Sequence, residues 1–384
     1  MRRSLFVLFL GALFVLSSSH AMAQDAETVH ATFLSAPKVS TSVGGVSILA
    51  GPPKGFNPLD ATGEELARYG LPQRPDPTAQ PEMYAKWARA MASLKQRAVD
   101  LKAMPYHSSP ARLLHQPTEA TAAGNVPSQA GSYNWSGVVN TNKATKWNNS
   151  ASFTFVQSFW PVPVAQPPFE ACANGVTGPF LESTWNGIDG FNSGDVVQGG
   201  SSIYSDCSGD NFYFGWVEWY PSYPSLTILC TPTDPCPVGP GDVFYVITYG
   251  AAGTADQFVY VSDTTQGWFG TFDLPYVTGP GVIGNSEEQV IERPCCTTVG
   301  NAQVFYPLDN YNYEFLAESG GFNGHGTLFF AGMQTPATYV LTMYDDAADQ
   351  QISAVAEQGN TGTAGQLSLF LEDLNCAYVG GCVP

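Results

Sequence analysis

Aromatic and carboxylate side chains recur at two- and four-residue spacing in several short runs of this chain. Trp185 with Asp189, Trp216 with Glu218 and Tyr220, and Glu288 with Glu292 each fall on one side of an extended segment, while Val217, Trp219 and Ile291 between them are apolar. Successive side chains of a strand point to opposite faces, so the pattern implies one packed face and one polar, aromatic-lined face. Such a face suits a peptide or a glycan equally well. A carboxyl group on it could take a proton from a water molecule and return it to a leaving group.

Other hydrolytic chemistries lack their parts. The chain has no Gly-x-Ser-x-Gly elbow, no His-Glu-x-x-His zinc helix and no Asp-Thr-Gly or Asp-Ser-Gly loop. After residue 127 the one histidine is His325, within the glycine-rich stretch Gly320 to Gly326, where a turn residue is the simpler reading than a catalytic base. Cys230 and Cys236, like Cys376 and Cys382, are separated by five residues, too many for a zinc pair and suited to small disulfide loops. The adjacent Cys295 and Cys296 leave their partners open. No metal or cofactor is expected.

The elements that must position these residues differ along the chain. Residues 1–23 carry Arg2 and Arg3, an apolar run from Leu5 to Leu16 and an Ala21-Met22-Ala23 exit, the layout of a secretory signal. No later run reaches the ~20 apolar residues of a membrane helix. The expectation is a soluble secreted or periplasmic product, and eight cysteines suit that oxidising setting. Residues 24–127 read as a pro-region. Thr62 and Glu65 form a capping box, and Tyr84, Trp87, Met91, Leu94, Ala98 and Leu101 give a second, basic amphipathic helix. A linker without periodicity follows from about 104 to 131 and is expected to be exposed and open to cleavage. Residues 128–384 show many short Val-, Tyr-, Phe- and Thr-rich runs between Gly and Pro turns and no long helical pattern. That texture predicts an all-β domain, an antiparallel two-sheet β-sandwich.

Charge separates the same regions. From residue 128 onward three basic residues face 24 Asp and Glu, a formal charge of −21, whereas 86–127 carries six Lys and Arg against Asp100 and Glu119, or +4. An acidic domain of this kind approaches neutrality only as its carboxylates protonate, near pH 3 to 4. A basic pro-region held on it ionically, with its helix over the polar face, is the arrangement the charges suggest. Nucleic acid is not an expected partner of so acidic a domain.

Five motifs in order carry a family resemblance: Asn134-Trp135-Ser136-Gly137, Trp185-Asn186-Gly187-Ile188-Asp189-Gly190, Val197-Gln198-Gly199-Gly200, Trp216-Val217-Glu218-Trp219-Tyr220-Pro221 and Glu288-Gln289-Val290-Ile291-Glu292. Together they resemble the glutamic peptidases, or eqolisins. The resemblance implies a jelly-roll, concanavalin A-like sandwich and a secreted, pepstatin-insensitive acid endopeptidase that needs no cofactor. It places the catalytic pair at Gln198 and Glu288, with Trp135, Trp185, Asp189, Trp216 and Glu218 supporting the pair or lining the substrate groove. Protein or peptide substrates, a monomeric enzyme and inhibition by its own propeptide follow from the same reading. Three positions depart from the family pattern: Ser193 stands where fungal members have cysteine, Phe214 where an acidic residue is frequent, and Gln289 where a bulky apolar residue is. A glycan-binding sandwich without catalysis is the competing function, because the same side chains suit sugars.

Overall fold

The computed structural model describes residues 28–78, 80–105, 109–114, 128–142, 152–162, 164, 172–173, 180–294 and 338–344, and the backbone of strands 298–299, 302–303, 311–322, 327–329, 353–357 and 366–373. The valine- and aromatic-rich runs pair into two large sheets. One has nine strands in the order Asp100–Ala103, Leu226–Leu229, Asn211–Tyr220, Val196–Ser205, Phe180–Ile188, Ser286–Glu292, Trp135–Thr141, Thr338–Met343 and Ser128–Ser132. The other has eleven, with Val243–Tyr249 and Ser152–Pro161 near its middle. Pairing is antiparallel except where Ser128–Ser132 lies along Thr338–Met343 and Gln96–Arg97 along Trp268–Pro275.

The alternation within each strand sorts side chains into three layers. Val138, Val197, Val217, Trp219 and Ile291 of the nine-stranded sheet meet Val156, Trp160, Val246, Val259 and Trp268 of the other in one buried core. The outer face of the nine-stranded sheet carries a second cluster, with Trp135, Trp185, Val196, Trp216, Val290 and Leu341. The outer face of the eleven-stranded sheet carries a third, in which Phe155, Phe159, Tyr245, Tyr249, Phe258 and Tyr260 lie under the N-terminal helices. A two-sheet β-sandwich is therefore the fold, as the strand pattern predicts.

The region before residue 104 is not packed as a separate body. Its helices 28–35, Gly63–Arg68 and Pro81–Ser93 place Val29, Phe33, Leu66, Met83, Trp87 and Met91 in the third cluster. The capping box forms: Thr62 Oγ1 accepts from the Glu65 N–H, and a Glu65 carboxyl oxygen accepts from the Thr62 N–H. The amphipathic helix is shorter than its periodicity suggests. It stops at Ser93, Leu94 is extended, and the Lys95 and Gln96 N–H groups donate to the Gly267 carbonyl. Ala98 and Leu101 then enter the inter-sheet core, because Gln96–Arg97 extends one sheet and Asp100–Ala103 the other. The helix thus covers the face opposite to the one its charge suggested.

Part of the stretch expected to be an exposed linker is held against the nine-stranded sheet. Met104, Ala111 and Leu113 pack on its outer aromatic cluster. Main-chain hydrogen bonds run from Met104 N–H to the Ser225 carbonyl, from Ala111 N–H to Gly190 and from Leu114 N–H to Gly131. Residues 104–105 and 109–114 form a strap across that face. Cys230 pairs with Cys236, as their spacing suggests, and Cys172 with Cys207. Cys295, Cys296, Cys376, Cys382 and His325 lie outside the described residues. Among the described residues no helix is long and apolar enough to cross a membrane.

Candidate active site

Gln198 and Glu288 sit on the two strands that flank Phe180–Ile188, and register brings them level. Gln198 pairs with Gly187, and Gly187 with Glu288. Glu218 extends the row beyond Gln198, and Val139 and Tyr339 extend it beyond Glu288. Residues directly opposite in a ladder share a face, so Glu218, Gln198, Glu288, Val139 and Tyr339 all project to the outer side. Two strand spacings separate the Gln198 and Glu288 backbones, about 10 Å. Between them Gly187 leaves a gap that no other residue could: a Cβ there would come within 2.9 Å of Trp185 Cζ3, 3.0 Å of the Val197 carbonyl oxygen and 3.1 Å of Gln198 Cβ.

Both members of the pair are fully buried, and none of their side-chain oxygen and nitrogen atoms has a hydrogen-bond partner. Buried polar groups are nearly always paired, and each exception costs on the order of 1–3 kcal/mol. Glu182 and several other buried polar groups are also unpartnered; what sets Gln198 and Glu288 apart as a candidate pair is that they lie level on one face, either side of Gly187. Burial pushes the Glu288 pKa well above the ordinary glutamate range, and nearby Asp189 and Glu287 push it further. The Ser286 hydroxyl and Phe191 N–H face the carboxyl outside hydrogen-bond geometry and offset part of the rise.

The remaining predicted residues divide into walls and braces. Trp135 and Trp185 meet edge to face with centroids 4.9 Å apart, and Trp216 lies in the same cluster with a buried Nε1 that has no acceptor. Glu218 Oε2 accepts from the Ser225 hydroxyl at 2.7 Å. Asp189 lies one residue past the Phe180–Ile188 strand and has φ 70°. Its carboxyl oxygens accept from the N–H groups of Ile283, Gly284 and Asn285 at 2.7, 3.1 and 2.8 Å, bracing the loop that leads into the Glu288 strand. Burial nevertheless raises its pKa to about 7. Loop 189–195 then folds over the same face, placing Phe191 against Tyr339.

One residue absent from the predicted set stands out. Glu292, buried on the same face, accepts from Trp185 Nε1 at 2.9 Å, from the Ser109 N–H at 3.0 Å and from Asn134 Nδ2 at 3.4 Å. Its place four residues after Glu288 was the only sequence signal for it. No cluster of metal-ligating side chains occurs among the described residues.

Residues 133–291 match the model of the Peptidase A4 family. Among solved structures the chain is similar to scytalido-glutamic peptidase with a transition state analog inhibitor, at 16% identity and TM-score 0.45, covering 63% of this chain and 98% of that one. It is similar to SCP-B, a member of the eqolisin family in complex with the tripeptide Ala-Ile-His, at 15% identity and TM-score 0.43 over 63% and 98%. A third is aspergilloglutamic peptidase from Aspergillus niger, at 18% identity and TM-score 0.37 over 50% and 99%. No curated protein matches the chain. Over residues 133–291, the stretch that supplies both Gln198 and Glu288, the chain matches the Peptidase A4 family, and that match supports a peptidase.

Proposed function

We propose that this chain is a secreted acid endopeptidase, made as a proenzyme, in which Glu288 and Gln198 hydrolyse peptide bonds. The observation that carries the proposal is the level, outward-facing pair of buried, unpartnered side chains on either side of Gly187. Glu288 takes a proton from the attacking water and delivers it to the leaving amine. Gln198 cannot titrate; its amide N–H donates to the developing oxyanion while its carbonyl orients the water, a contact whose loss costs roughly 10² to 10³ in rate. Trp135, Trp185, Trp216 and Glu218 form the surrounding wall, and Asp189 fixes the approach to the Glu288 strand.

Residues 1–23 act as the signal peptide, 24–127 as the propeptide and 128–384 as the enzyme. Gln198 and Glu288 are fully buried in the full-length chain, and residues 104–105 and 109–114 lie on the same face of the sheet, which supports inhibition by the chain's own pro-region. Glu288, desolvated there, holds its proton well above the ordinary range; departure of the strap admits water and lets it ionise in mild acid. The test is incubation of acid-treated enzyme with a denatured protein from pH 2 to 7, with and without pepstatin. Cleavage below about pH 5 that pepstatin leaves intact is expected, since no aspartic dyad takes part. Glycan binding without cleavage at any pH would favour the lectin-like reading instead.

A further inference from the structure

We propose that Glu292 is a positioning residue that grips a main-chain N–H of whatever peptide lies across the site face. The enzyme would therefore require a residue other than proline at one substrate position away from the scissile bond. This inference rests on the peptidase reading above.

Glu292 lies four residues beyond Glu288 on one strand, so both project to the same side. Its carboxyl group gathers N–H donors from three separate segments: the Trp185 indole, the Asn134 amide and the Ser109 main chain. The strap is held there mainly by its backbone, with the Ser109 hydroxyl also accepting from Asn134 Nδ2 at 3.2 Å. Ser109 donates its N–H to Glu292, its carbonyl accepts from Trp135 Nε1 at 3.0 Å, and two residues on the Ala111 N–H donates to the Gly190 carbonyl. A grip on main-chain atoms is indifferent to side chains and fails only where the N–H is missing. A peptide taking the strap's place would meet the same acceptor. The other Glu292 oxygen holds the Trp185 ring, whose Cζ3 edge abuts Gly187 between Gln198 and Glu288. One carboxyl group thereby fixes both the floor between the catalytic pair and the chain above it.

The test uses the full-length chain activated at pH 3.5, a peptide that it cleaves, and the set of analogues each N-methylated at one amide. Losing a hydrogen bond of this kind costs about tenfold or more. Wild type should lose that much kcat/KM, mainly through KM, at one amide away from the scissile bond. Glu292→Leu, which offers no acceptor and is weaker on the parent peptide, should lose less than about twofold further at that same amide. Where a variant turns over too slowly, tryptophan fluorescence on binding of the same peptides gives the comparison, with near-UV circular dichroism to show that it is folded. Equal losses in both enzymes at every amide would reduce Glu292 to a prop for Trp185 and overturn the proposal. A wild type that cleaves no peptide would overturn the peptidase reading and this inference with it.

Discussion

Glu288 has a raised pKa because burial opposes its charge, and the sign of that shift sets how the closed chain responds to pH. A carboxyl group that holds its proton more tightly when folded contributes its full stability below the unfolded value of 4.5 and loses it as pH rises toward the folded pKa. Asp189 and Asp263, both pushed up by burial to about 7, act in the same sense from 3.8 upward. The full-length chain should therefore be more stable at pH 5 than at pH 8. Glu288→Gln removes one of these burdens while keeping the shape, so urea unfolding at pH 8 should show it more stable than wild type, by roughly 1–3 kcal/mol, with a smaller difference at pH 4. A variant less stable than wild type at pH 8 would show that the carboxylate is satisfied after all. The motifs singled out Gln198 and Glu288, and the strand register sets the two level on one face. Glu292 escaped because its partner, Ser109, sits in a stretch with no periodicity and becomes a neighbour only through the fold.

Among the elements, helix 28–35 carries a titratable group in its dock. His30 lies edge-on to Phe258 with its Nε2 3.0 Å from the Asp256 carbonyl oxygen, and burial lowers its pKa despite that oxygen. A base with a lowered folded pKa gives its full stability above 6.5 and loses it as pH falls through the lowered value. Amide exchange should show protection of residues 28–36 falling between pH 7 and pH 5 in wild type and holding steady in His30→Gln. Equal loss of protection in both would place the acid-sensitive joint elsewhere. The strands of the sandwich were legible because their alternation is imposed by two packed sheets. The end of the amphipathic helix was not: Ala98 and Leu101 continue its apolar spacing, yet the open edges of both sheets offer backbone partners that a longer helix would forgo. Asp189 falls one residue past its strand with a positive φ, a local feature that alternation alone does not show.

At the scale of the whole molecule, the charge split between a +4 segment and a −21 domain suggested ionic attachment released by acid. The docking surfaces are instead apolar and hydrogen-bonded: Trp87, Met83 and Phe33 on one sheet, paired edge strands, and a strap on the other sheet. The ion pair Lys38–Asp273, at 2.6 Å, joins the two regions beside them. On the proposed reading, release of residues 24–127 depends on cutting the chain more than on neutralising it. The claim that Gln198 and Glu288 perform the cut is decided by the intact mass of the full-length protein, followed after a shift from pH 7 to pH 3.5. Wild type should shorten to a species beginning near residue 128, while Glu288→Gln and Gln198→Ala, folded by circular dichroism, should persist at full length. Equal shortening of either variant would contradict the claim.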